Sequence, residues 1–179
     1  DSSLGPAFRH DLVRDAVLGT LEEKDRQDLH DRAATALLRR GTPETARLAR
    51  HLRDAGGARR SEAAVFTASE AGEALLLGGH LRAAELFERA AVLGEGDIGL
   101  ARDRVVWRLE AGRARTLAGD LEAAQALATP IAHVARALAD PTLLSRAAIL
   151  ATGPWRPFGA EQDRAARLTL EAAETPPAQ

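Results

Sequence analysis

The feature that most constrains this chain is a recurrence. Gly79-x-Leu81-x-Ala83-Ala84 returns at an offset of 40 as Gly119-x-Leu121-x-Ala123-Ala124. Arg82-Ala83-Ala84-Glu85-Leu86 returns at an offset of 82 as Arg164-Ala165-Ala166-Arg167-Leu168, and Gly41 to Ala46 keep the five-residue step of Gly79 to Ala84. Glycine supplies the turn between two antiparallel helices, and the small pair that follows lets helix axes approach closely. A larger residue, Phe87 or Leu127, would then plug the groove between them. A fixed period of about 40 residues is the mark of stacked helical hairpins. The expected fold class is all-α.

Composition agrees. Hydrophobic residues make up 45% of the 179, yet aromatics only 3%, and there is no tyrosine. Alanine and leucine dominate, and alanine costs least in a helix. Runs rich in Val, Ile, Thr and Tyr, which would favour strands, are absent.

Turn and cap residues divide the chain into nine expected helices. The first runs from Phe8 to Thr20, with Leu12, Val13, Ala16 and Val17 on one face. Thr20-Leu21-Glu22-Glu23 has the form of a capping box and opens a second helix reaching Arg40, expected to bury Leu29, Ala33, Ala36 and Leu37. Gly41 ends it, and Thr42-Pro43 starts a third that carries Ala46, Leu48, Ala49 and Leu52 and stops at Gly56-Gly57. A fourth spans Arg59 to Leu77, closed by Gly78-Gly79; a fifth spans Leu81 to Leu93; a sixth, after Gly94-Glu95-Gly96-Asp97, spans Ile98 to Ala118. The seventh, Leu121 to Leu138, should kink or split at Pro130. Asp140-Pro141 opens the eighth, reaching Thr152; Gly153 to Gly159 reads as a loop, and Glu161 to Glu174 as the ninth helix.

A net charge of −2 argues against electrostatic nucleic-acid binding. Charge is abundant at 28%, but Lys24 is the only lysine, which we read as the imprint of a GC-rich genome. The absence of cysteine excludes disulfides and thiolate metal sites. No apolar run approaches the roughly 18 residues of a membrane span and no signal peptide opens the chain, so a cytoplasmic location without membrane contact is expected. The chain starts Asp1-Ser2-Ser3 and contains no methionine, so it is expected to be a piece of a longer protein.

Residues Gly79 to Leu93, with Ala83, Phe87 and Ala90 in a small-x3-aromatic-x2-small pattern, resemble the second half of a tetratricopeptide repeat (TPR). The first-half tryptophan is missing and the period exceeds the usual ~34 residues. The resemblance is to the degenerate, longer-helix variety. Phe8-Arg9-His10-Asp11-Leu12-Val13-Arg14-Asp15-Ala16-Val17, Leu29-His30-Asp31-Arg32-Ala33-Ala34, and Ala49-Arg50-His51-Leu52 followed by Ala55-Gly56 resemble a more specific signature. It is found after the nucleotide-binding module of signal-transduction (STAND) ATPases of the maltose-regulator type, including the large LuxR-family activators of actinomycetes.

The resemblance implies an antiparallel helix-hairpin, right-handed superhelix, a TPR-like α-solenoid. Residues 1–40 would be the end of a winged-helix element and a linker, and residues 41–179 the repeats. The function implied is a non-catalytic interaction or sensor module of an ATP-dependent LuxR-type transcriptional regulator. Its partners would be the parent's other domains, with a protein partner or small effector also possible in its groove. The chain has no Gly-x4-Gly-Lys-Ser/Thr loop and no basic helix-turn-helix, so ATP and DNA are expected on the rest of the parent and no cofactor here. Two alternatives stand: the repeat arm of a STAND-type signalling enzyme such as a nucleotide cyclase, or a free-standing peptide-binding scaffold.

Candidate sites are few. His10, His30, His51, His80 and His133 never pair at a helical-turn spacing, so no metal site is expected; the resemblance to the regulators implies that His10, His30 and His51 are structural contacts between neighbouring helices. No catalytic residues are expected, since no nucleophile elbow is visible and Glu22-Glu23 suit a helix start. Glu85, Glu88 and Arg89 read as ion pairing along one helix. The best binding candidate is the sixth helix, where Arg104, Trp107, Arg108, Ala111 and Arg115 share one side and Val105, Val106 and Leu109 can reach the core. Such arginines could grip carboxylates and the tryptophan could stack. The plainer reading, which we favour, packs Trp107 between repeats and pairs the arginines with Asp103 and Glu110. A second candidate is the partner loop Trp155, Arg156 and Phe158, which could dock on another domain or protomer or fold back over its own hairpin. An uncovered Ala/Leu face at either end would favour self-association.

Overall fold

The computed structural model describes residues 16–17, 19–41, 44–152, 167–171 and 174. Among them are eight α-helices and two short 3-10 turns, with no strand. The chain divides into two compact units, Asp1–Arg59 and Arg60–Gln179. The expected boundary at residues 40/41 falls inside the first unit, between the helices Glu23–Arg39 and Thr45–Asp54.

In the first unit, α1 (Glu23–Arg39) packs on α2 (Thr45–Asp54), and a 3-10 turn (Gly57–Arg59) follows. Ala34, Leu48, Ala49 and Leu52 are fully buried. The face expected for α1 needs correction, because Leu29 and Ala36 are exposed and Ala33 and Leu37 only half-buried. The side that turns towards α2 and the 3-10 turn sets polar residues around the fully buried Ala34. Arg59 Nε lies 2.8 Å from Asp31 Oδ1, Arg59 Nη2 donates to Thr35 Oγ1 at 3.0 Å, and His30 meets His51. A count of apolar positions cannot find a face built on satisfied polar groups.

The capping box is also not formed. The Thr20 hydroxyl donates to the Val17 carbonyl at 2.7 Å, and Glu22 stands at the helix start without a side-chain bond. The Glu23 carboxylate is occupied along its own helix by Arg26 and Gln27. Thr42-Pro43, most of the first expected helix, the 153–159 loop and most of the ninth helix lie outside the described residues. Of these segments, residues 16, 17, 19, 167–171 and 174 are helical.

The second unit contains α3 (Arg60–Leu76), α4 (His80–Leu93), a 3-10 turn (Ile98–Leu100), α5 (Ala101–Leu117), α6 (Leu121–Ala126), α7 (Ala128–Ala137) and α8 (Pro141–Thr152). α4 packs against both α3 and α5, and α5 also meets α6, α7 and α8. The expected seventh helix is split as Pro130 requires. Pro130 becomes the third residue of α7, where a helix has no use for the amide hydrogen that proline lacks. Asp140 caps α8 by accepting from the Leu143 amide at 3.0 Å.

α3 and α5 are both 17 residues long, and their first residues, Arg60 and Ala101, are offset by 41. The turns that end them share their closing backbone bonds. Gly78 and Gly119 have φ of +80° and +84°, a conformation that glycine adopts without steric cost. The Gly78 amide donates to Leu75 and the Gly79 amide to Ala74, as Gly119 does to Thr116 and Asp120 to Arg115. The recurrence therefore has an offset of 41, the step from Gly78 to Gly119, and the expected pairing of Gly79 with Gly119 is corrected by one. The new register sets Ala83 on Ala124, Phe87 on Ala128, Ala90 on Ile131 and Ala91 on Ala132, all of them buried. Leu127, expected in the place of Phe87, is half-buried beside it.

The core of this unit gathers around Val105, Leu109, Ile131, Leu143 and Leu144. No helix among the described residues is long and apolar enough to cross a membrane.

Candidate functional site

The candidate face of α5 is set by its neighbours. Val105 and Leu109 enter the core shared with α7 and α8, and Val106 packs half-buried against it. The other side is covered as well. Ala111 is fully buried in a cluster with Ala71, Leu86 and Phe87, and Trp107 packs against the same cluster. A helix apolar on both flanks has been folded between two layers.

The arginines lie along the margins of this packing. Arg115 is held most firmly: its Nε and Nη2 donate to the two oxygens of Glu88 at 2.8 and 3.2 Å, while Nη1 donates to Asp120 Oδ2 at 2.8 Å. Two parallel bonds to one carboxylate make the fork geometry that arginine suits best. The Glu88 bonds are the main cause holding the Arg115 guanidinium above its ordinary pKa, so it stays charged. Arg108 Nη2 lies 3.4 Å from Glu95 Oε1, and Arg104 Nη2 lies 3.9 Å from the same oxygen. Glu95 is half-exposed and answers two guanidiniums at once. Arg104 Nε is buried without a hydrogen-bond partner.

The arginines of the candidate site are thus paired, but not with the expected carboxylates. Asp103 is exposed, and Glu110 receives Arg113 and Arg146 instead. The partners Glu88 and Glu95 come from α4 and the segment after it, well before the arginines they bind. Glu88 likewise reaches across to α5 rather than along α4. Spacing within one helix carries no signal for such pairs; the hairpin register, which brings α4 against α5, does.

A second polar cluster lies between α3 and the turn before α5. Asp97 accepts from the Ser61 hydroxyl at 2.5 Å and from the Gly99 amide at 2.8 Å, and these bonds hold its carboxyl below the ordinary pKa. Glu70, one of the few buried charged groups, accepts from Arg82 at 2.9 Å. These contacts join neighbouring helices.

In the first unit His30 and His51 do touch, as expected of contacts between helices, with Nδ1 atoms 3.0 Å apart. No group of three or more His, Cys, Asp or Glu is placed to hold a metal ion among the described residues. His10 and the loop residues Trp155, Arg156 and Phe158 lie outside the described residues.

No family model, no curated protein and no solved structure matches this chain.

Proposed function

We propose that this chain is a non-catalytic, TPR-like repeat arm of a large, cytoplasmic, ATP-dependent regulator of the LuxR and maltose-regulator type. The observation that carries this reading is the step from Arg60 to Ala101, at which the length of the first helix, the glycine turn that ends it and the inward-facing positions after it recur in the second unit, although the helix after the second turn is split in two. Stacked hairpins of this kind form a superhelix in which each repeat touches chiefly its neighbours. The front of the chain supplies the link to the regulators, through the motifs around His30 and His51. The arm's work is mechanical: it holds the parent's domains and passes on the binding of a partner or effector. Pairing of Arg104, Arg108 and Arg115 with carboxylates supports a structural role for that face of α5. An acidic ligand there would have to displace Glu95.

The domain order of the parent gene tests the proposal. We expect a Gly-x4-Gly-Lys-Ser/Thr phosphate loop encoded upstream and a basic helix-turn-helix downstream. A cyclase domain in place of the helix-turn-helix would favour the signalling-enzyme reading. A reading frame confined to these residues would overturn both in favour of a free scaffold.

A further inference from the structure

α1 and α2 meet through two imidazoles. The Nδ1 atoms of His30 and His51 are 3.0 Å apart, the ring centroids 5.1 Å apart, and the ring planes inclined by 44°. A hydrogen bond between two ring nitrogens needs a proton on one and a free lone pair on the other. The pair can therefore accept one additional proton, on the donor ring, and keep its bond. A second proton removes the acceptor and sets two cations in contact.

The surroundings do little to offset that. Asp54, on α2, brings Oδ2 to 3.7 Å from His30 Nδ1, but its side chain is half-exposed. Arg26 on α1 and Arg47 and Arg50 on α2 add positive charge around the two rings. Asp31, the carboxylate next to His30 in sequence, is engaged by Arg59 of the 3-10 turn.

We infer that the His30–His51 contact is an acid-sensitive latch, which holds α1 on α2 while one imidazole is neutral and releases when both are protonated. The latch stands apart from the proposed regulator role and would operate in any parent. Its direction follows from linkage. Burial is the largest cause lowering both histidines below their ordinary pKa, and positive neighbours add to it. The folded unit therefore binds fewer protons than the unfolded one. The contact's contribution is complete above about pH 6.5 and is lost as pH falls through the lowered values.

Hydrogen exchange on the whole chain tests this, comparing residues 23–54 with residues 60–152 at about pH 7.5 and about pH 5, after correction for intrinsic rates. We expect protection of α1 and α2 to fall about tenfold or more on acidification, while α4 and α5 keep theirs. His51→Asn supplies an amide oxygen near the position of Nδ1, which accepts from His30 in either charge state, so the acid-dependent loss should shrink to the part that burial of His30 alone leaves. Wild-type protection that is unchanged by acid, or an equal loss in the variant, overturns the latch. Should His51→Asn not fold, nitrogen NMR of the wild-type rings decides. Two coupled titrations below the ordinary imidazole value support it, and two independent ordinary ones overturn it.

Discussion

Arg115 and Arg108 lie two turns apart on α5 and look equivalent in the sequence, yet their surroundings differ. Arg115 forks onto Glu88 and also reaches Asp120, with about a fifth of its side chain exposed. Arg108 makes one 3.4 Å contact to a carboxylate that is half in solvent. Pairs at an exposed rim contribute little because water screens them and side-chain ordering costs entropy, whereas a fixed bidentate fork contributes more. Arg115→Ala should therefore lower stability by about 1 kcal/mol and Arg108→Ala by roughly 0.5 kcal/mol or less, measured by urea unfolding. The reverse order would mean that the Glu95 cluster, and not the Glu88 fork, joins the helices here. Neither difference was legible in the sequence, because Glu88 and Glu95 become partners only once α4 is laid against α5.

At the scale of elements, the ends of the helices were the most legible feature. Gly41, Gly78, Gly96 and Gly119 each adopt positive φ, and Pro130 and Pro141 stand near helix starts, because these conformations depend mainly on the residue itself. Two features were less legible. The doublet Gly78-Gly79 offered two choices for the turn, and only the backbone shows that Gly78 is the left-handed one, which moves the recurrence by one position. The inward face of α1 is not legible as an apolar stripe because, around Ala34, it carries His30, Asp31 and Thr35, which are satisfied across the hairpin and by the 3-10 turn. One left-handed helix end is not a glycine: Ala139, after α7, has φ of +49° and donates to Arg136 in the same turn pattern. An L-residue pays a steric cost there that glycine avoids, only partly offset by glycine's greater freedom in the unfolded chain. Ala139→Gly should thus stabilise the chain by roughly 0.5 kcal/mol, seen as a higher urea midpoint with unchanged slope. A lower midpoint would show that the turn after α7 is not held in this conformation.

For the whole molecule, the account rests on repetition within the second unit. There, α5 is the element most widely shared, packed against α4 on one side and against α6, α7 and α8 on the other. In the proposed repeat arm, such sharing would couple the stability of successive hairpins. A crystal structure of the chain, with residues 60–93 superposed on residues 101–134, measures this most directly. The account predicts a best fit in the register that sets Ala83 over Ala124, Phe87 over Ala128 and Ala90 over Ile131. A best fit in another register, or two hairpins that do not superpose, would contradict it.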